Sequence, residues 1–150
     1  QIRRFATEGV KFRLVVSLTT AIEDKRAKLL PVAGRFSLAE VFSAVREVTE
    51  ATGRSVTLAW VLMGGVNTGD DEVAALRNLI GDLPVRVNLI DVNDARPDGY
   101  RRATDAERNR FRDGLATLGV PIVRRYSVGR DQSSACGMLA SPHQLGAAPC

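Results

Sequence analysis

Four short apolar runs rich in branched residues, Leu14 to Leu18, Val56 to Met63, Val85 to Val92 and Ile122 to Tyr126, are separated each time by a stretch with helical periodicity. That alternation constrains the fold more than any other property of the chain. Short apolar runs bounded by turn residues read as buried strands. Strands that alternate with helices are joined by right-handed crossovers, so the sheet is parallel and the helices lie outside it. The expected fold class is therefore α/β, a parallel sheet with alternating helices, as in part of a barrel.

The helical stretches carry their own start and stop signals. A short charged helix is expected over Ile22 to Leu30, stopped by Pro31. A longer one begins at Ser37, which forms a capping box with Glu40. Its apolar face holds Leu38, Val41, Phe42, Val45 and Val48, and Gly53 ends it. The third runs from Asp70 to Ile80 with Val73, Leu76 and Ile80 inward and Gly81 behind it. The last follows a second capping box, Thr104 with Glu107, and carries Phe111, Leu115 and Leu118 before Gly119.

With 150 residues, 45% of them hydrophobic, the chain fits one domain with a real core. No apolar run approaches the roughly 20 residues of a membrane-spanning helix, and no signal-peptide pattern is visible, so the expected setting is cytoplasmic and no membrane partner is expected. The chain opens at Gln1 as though already inside a helix, which reads as the later portion of something longer. Two cysteines, Cys136 and Cys150, make no disulfide framework, and reduced thiols are expected. Net charge is +4, carried mostly by Arg, with pairs at Arg3-Arg4, Arg101-Arg102 and Arg124-Arg125. Such pairs read either as solvated surface or as an RNA-facing patch, since guanidinium groups bond phosphates bidentately and stack on bases.

In parallel sheets, ligands collect at the C-terminal ends of the strands. The residues there are Ser17 to Thr20, Gly64 to Asn67, Asn93, and the segment leading to Cys136. Each has a plain structural reading on its own: Cys136 as a small buried hydrophobe, Asn93 as a turn residue, Ser17 as a strand-closing hydroxyl. Gly64-Gly65 precede no phosphate-loop Lys. His143, the single histidine, has no ligand-spaced partner, and no metal ligands are expected; Cys150 reads as a tail thiol.

Taken in order, these segments resemble the radical S-adenosylmethionine RNA methyltransferases that modify adenosine in ribosomal and transfer RNA, at carbon 2 or, in related enzymes, carbon 8. Val16-Ser17-Leu18-Thr19 stands where that family has Ser-Leu-His, with Thr19 in place of the His. Leu29-Leu30-Pro31 is similar to its Leu-Met-Pro-Ile, and Val56 to Leu62 to its Val-Thr-Phe-Glu-Tyr-Val-Leu, each followed by Gly-Val-Asn. Val87-Asn88-Leu89-Ile90-Asp91-Val92-Asn93 is similar to Val-Asn-Leu-Ile-Pro-x-Asn, with Asp91 in place of the Pro. Gly129 to Ala140, around Cys136, resembles its Gly-Asp-Asp-Ile-Asp-Ala-Ala-Cys-Gly-Gln-Leu-Ala, with acidic residues and the Gln lost.

The resemblance implies that residues 1–140 are the C-terminal part of a radical S-adenosylmethionine catalytic barrel, the C-terminal half of a partial (β/α)6 TIM-like barrel; the composition of 141–150 reads as a disordered tail. It implies that Ser17, Leu18, Thr19 and Asn93 bind S-adenosylmethionine, and that Cys136 carries the methyl group to an adenine ring carbon of rRNA or tRNA. A thiolate suits that role, because it attacks a sulfonium methyl and then holds it as a thioether. The family's 4Fe-4S cluster needs a three-cysteine motif that this chain lacks, so its ligands would belong to a longer parent and this chain alone would be inactive. The alternative is a catalytically silent half-barrel acting as an RNA-binding or assembly module; a thiol redox role for Cys136 with Cys150 is a weaker third reading. Expected partners are RNA, the missing N-terminal half of the barrel, and a further copy of the chain, since a cut barrel leaves open edges.

Overall fold

The computed structural model describes residues 2–7, 13–30, 34–92 and 99–125. In chain order the elements are α1 (Ile2–Thr7), β1 (Val15–Ser17), α2 (Glu23–Leu29), α3 (Leu38–Thr52), β2 (Val56–Leu62), α4 (Asp70–Ile80), β3 (Val85–Asp91), α5 (Asp105–Ala116) and β4 (Ile122–Arg125). The four strands form one sheet in the order β1-β2-β3-β4, every pair parallel. This is the α/β architecture the alternation predicts.

The helices begin and end where side-chain chemistry dictates. Ser37 and Thr104 each accept a hydrogen bond from the amide of Glu40 and Glu107, whose carboxylates reach back to the cap amide, so both capping boxes are formed. Gly53 closes α3 in the left-handed region at φ 65°. The first turn of α4 carries Asp70, Asp71 and Glu72, which suits the positive end of the helix dipole.

Pairing fixes which face each strand residue takes. Val56, Leu58, Trp60 and Leu62 lie beside Val85, Val87 and Leu89 and share one face, all of them buried. That face packs on Phe42, Val45 and Val48 of α3, Val73, Leu76 and Ile80 of α4, and Phe111 and Leu115 of α5. Trp60 is fully buried, its ring 5.3 Å from that of Phe111 in a tilted contact. Side chains of this size contribute about 2 kcal/mol each on burial.

The opposite face holds Ser17, Ala59, Val61, Asn88, Ile90 and Val123, each at least partly exposed among the described residues. The outer strands are accordingly not buried on both faces as their apolar composition predicts: Val15 is 54% and Val123 39% exposed. Among the described residues the helices cover one side of the sheet, and on the other side Thr57 is buried. β1 is also shorter than its apolar run, because the amides of Leu18 and Thr19 both turn to the carbonyl of Ala59 and the ladder stops. No described helix is long and apolar enough to cross a membrane.

Candidate functional site: the rim at the strand ends

The C-terminal ends of β1, β2 and β3 form one rim, and the chain turns there in three different ways. After β1, Thr20 donates its amide to the carbonyl of Leu18, 2.7 Å away, closing a three-residue turn around Thr19. Thr19 has φ 63°, the one non-glycine residue with positive φ among those described. A turn of this form is strained even for an unbranched residue, and Thr is β-branched. Such a conformation costs on the order of 1–3 kcal/mol and persists only where its surroundings enforce it.

Two buried residues enforce it. Asn67, fully buried in the loop after β2, donates from Nδ2 to the carbonyls of Thr19 and Val61, both at 2.7 Å, while its Oδ1 accepts the amide of Met63 at 2.8 Å. Its own carbonyl accepts the indole N–H of Trp60. Glu72, fully buried in the first turn of α4, accepts from the Thr20 hydroxyl at 2.7 Å and the Ala21 amide at 2.8 Å. Lys25 of α2 lies 3.2 Å from Glu72, 2.7 Å from Asp71 and 3.0 Å from the carbonyl of Val66. Burial works against the Lys25 ammonium, but the hydrogen bonds to Asp71 and Glu72 outweigh it and raise its pKa. The loops after β1 and β2 are thereby pinned to each other.

Gly64 serves close approach, and Gly65 supplies a positive φ of 72°. The Gly64 amide donates to the carbonyl of Arg101, and a Cβ on Gly64 would lie 2.8 Å from the carbonyl of Arg102, so only glycine fits under the crossing segment. Met63 and Arg102 form an antiparallel bridge there, and Arg101 holds both oxygens of Glu107. The segment before α5 therefore lies across the end of β2.

At the end of β3, Asp91 points to the helix side and gathers arginines. Arg102 and Arg124 each donate to its Oδ2 at 2.8 Å, and Arg108 stands 3.9 Å from Oδ1. Burial pushes the Asp91 carboxyl up, but the Arg124 hydrogen bond and the charges of Arg102, Arg124 and Arg108 outweigh it and hold it below the usual carboxylate range. Asp105 pairs with Arg108 as well. Arg102 and Arg124, read from sequence as solvated or RNA-facing, thus fold inward on a shared carboxylate, because a buried carboxylate at a strand end needs cationic partners.

Of the residues singled out by resemblance, Ser17, Leu18 and Thr19 sit together on this rim, and they are not equivalent. Ser17 is exposed on the uncovered face. Leu18 is 1% exposed and belongs to the core, so its side chain is unavailable to a ligand. Thr19 is 6% exposed. Asn93 and Cys136 lie outside the described residues, as do His143, Cys150 and the expected tail 141–150. Among the described residues no group of three His, Cys, Asp or Glu side chains is placed to hold a metal ion. Sequence reasoning placed Asn67 on the rim without a role for its side chain and missed Glu72 there; their partners lie 48 and 52 positions away, and the local sign was a Gly-Val-Asn following a strand.

No protein-family model matches the chain. Relatives do. It is 53% identical over 142 residues, 93% of its length, to a probable RNA methyltransferase of Anaeromyxobacter sp., and 39% identical over 145 residues to a probable dual-specificity RNA methyltransferase RlmN of Symbiobacterium thermophilum. Its fold superposes on the crystal structure of a radical SAM methyltransferase from Sphaerobacter thermophilus with a TM-score of 0.84 and 38% identity, over 91% of this chain and 40% of that one. The chain carries a segment of the radical SAM RNA methyltransferase family. It spans about two-fifths of the length of these relatives. The resemblance drawn from the ordered motifs from Ser17 through Asn93 to Cys136 therefore identified the family correctly, and the parallel sheet with alternating helices is its partial barrel.

Proposed function

We propose that this chain is the C-terminal part, residues 1–140, of a radical S-adenosylmethionine enzyme that methylates an adenine ring carbon of ribosomal or transfer RNA, in a cytoplasmic setting. The observation that carries the reading is the rim itself. Ser17, the enforced turn at Thr19 and the strand leading to Asn93 converge at the C-terminal end of a parallel sheet whose adjoining face is uncovered among the described residues. This is where ligands of parallel sheets bind.

S-adenosylmethionine fits these residues: the exposed Ser17 hydroxyl offers a hydrogen bond, and Ala59 and Asn88 on the same face present one small and one polar side chain. When bound, it supplies an electrophilic methyl group. Ser17, the Thr19 turn and Asn93 would hold the cofactor, and the Cys136 thiolate would accept its methyl group as a thioether. A 4Fe-4S cluster does not fit this chain, whose two cysteines are too few for the three-thiolate motif, and no step here runs through one. Its ligands, the N-terminal half of the barrel and the release of product belong to a longer protein.

The test is mass spectrometry of the protein after incubation with S-adenosylmethionine. A methyl adduct mapped to Cys136, lost in Cys136→Ala, is expected; an unmodified Cys136 together with unmodified RNA from the reconstituted full-length enzyme would sink the reading. A silent half-barrel that binds RNA is the second reading, favoured by Thr19 and Asp91 standing where the resemblance expects His and Pro. It requires salt-dependent RNA binding without S-adenosylmethionine binding.

A further inference from the structure

We propose that Asn67 and Glu72 are positioning residues for the cofactor loop: they hold the strained turn at Thr19 and so place Ser17 and Thr19 for S-adenosylmethionine, without touching it themselves. The inference rests on the reading that this loop binds S-adenosylmethionine. It begins from an energetic puzzle. A β-branched residue at φ 63° relaxes if its neighbours allow, yet Thr19 closes a tight turn in that conformation at the end of the shortest strand of the sheet.

The two residues act on opposite sides of the turn. Asn67 fixes the carbonyl of Thr19 and, through the same amide, the carbonyl of Val61 on β2, so the turn is tied to the neighbouring strand. Glu72 fixes the two positions that follow, through the Thr20 hydroxyl and the Ala21 amide. The Thr20 hydroxyl in turn accepts the amide of Ile22, which carries the constraint to the start of α2. Both residues are fully buried; Asn67 gives one donor to the turn and its other side-chain bonds to Val61 and Met63, while Glu72 gives one oxygen to each of Thr20 and Ala21. A fold that merely needed a connection between β1 and α2 has no use for a strained turn anchored by two long-range polar residues. A fold that must present the exposed Ser17 in one geometry does.

The experiment compares Asn67→Asp and Glu72→Gln with the unchanged protein, each also in a Thr19→Gly background. Asn67→Asp removes the donors to Thr19 and Val61 while keeping the acceptor for Met63; Glu72→Gln keeps one oxygen acceptor and the side-chain shape. S-adenosylmethionine affinity is read by calorimetry, and amide hydrogen exchange of residues 18–21 is read beside that of β2 and β3. Each variant is expected to weaken binding at least tenfold and to speed exchange at 18–21 with β2 and β3 still protected. In the Thr19→Gly background, where positive φ carries no steric cost, the loss should shrink to threefold or less. Leu115→Ala, which loosens the core beneath α5, should lower stability and leave affinity under native conditions unchanged. Equal losses with Thr or Gly at position 19, or unchanged affinity in both variants, would overturn the proposal. If the unchanged protein binds no S-adenosylmethionine, the cofactor reading falls, and the hold on the turn stands or falls on the exchange of residues 18–21 alone.

Discussion

The two ends of the rim are held by different forces. Beside β1 and β2, a buried amide and a buried carboxylate grip backbone and hydroxyl groups in fixed directions, with Lys25 as the sole cation at the carboxylate among the described contacts. Beside β3 and β4, one carboxylate faces three guanidinium groups, two of which also donate hydrogen bonds to it at 2.8 Å, so that net charge adds to direction in the holding. Directed bonds between buried groups fail when one partner is removed, whereas a carboxylate at the centre of an ion cluster is lost gradually to acid. The first arrangement suits a loop whose geometry matters; the second suits a seam that only has to stay shut.

The largest expected effect lies on the directed side. Glu72→Ala leaves the Thr20 hydroxyl, the Ala21 amide and the Lys25 ammonium without their shared acceptor and should lower stability by about 3 kcal/mol in urea denaturation, with little dependence on salt. Asp91→Ala sets Arg102, Arg108 and Arg124 against one another and should cost about 2 kcal/mol.

Acid separates the ends further. The folded-state pKa of Asp91 is depressed, so its stabilisation is complete above the unfolded value near 4 and is lost as pH falls through the folded value. Glu107, lowered to about 2 by the Arg101 hydrogen bond and then the Thr104 amide, acts in the same direction and window. Thermal melts from pH 5 to pH 2 should therefore steepen below about pH 4 in the unchanged protein and less so in Asp91→Asn. Thr104→Ala, which removes the N-cap hydroxyl of α5, should cost about 1 kcal/mol. Smallest of all, Thr19→Gly should raise stability by roughly 0.5 kcal/mol, the relief of turn strain less the entropy of glycine. A loss instead would mean that the turn is relaxed and the contrast between the two ends is false.

Much of this was legible in the sequence where the signals are local. Ser37 with Glu40 and Thr104 with Glu107 mark helix starts within four residues, and the apolar runs mark strands to within two residues of their ends. What escaped is non-local or sterically counter-intuitive. Nothing near Thr19 advertises a positive φ, because the usual sign is a glycine and the enforcing residues lie in another loop. Asp91 reads as a lost proline until Arg102 and Arg124, 11 and 33 residues away, are folded onto it. Arg pairs look alike in a sequence whether they face solvent or a carboxylate; only the fold tells them apart.

Trp60 gives these ideas an optical handle. It is the chain's single tryptophan, sealed against Phe111, and its indole N–H is bonded to the backbone of Asn67 itself. Its fluorescence therefore answers to the loop that grips Thr19 as well as to the core: a shift of emission toward the red while far-ultraviolet circular dichroism stays constant would register release of the turn before the protein unfolds.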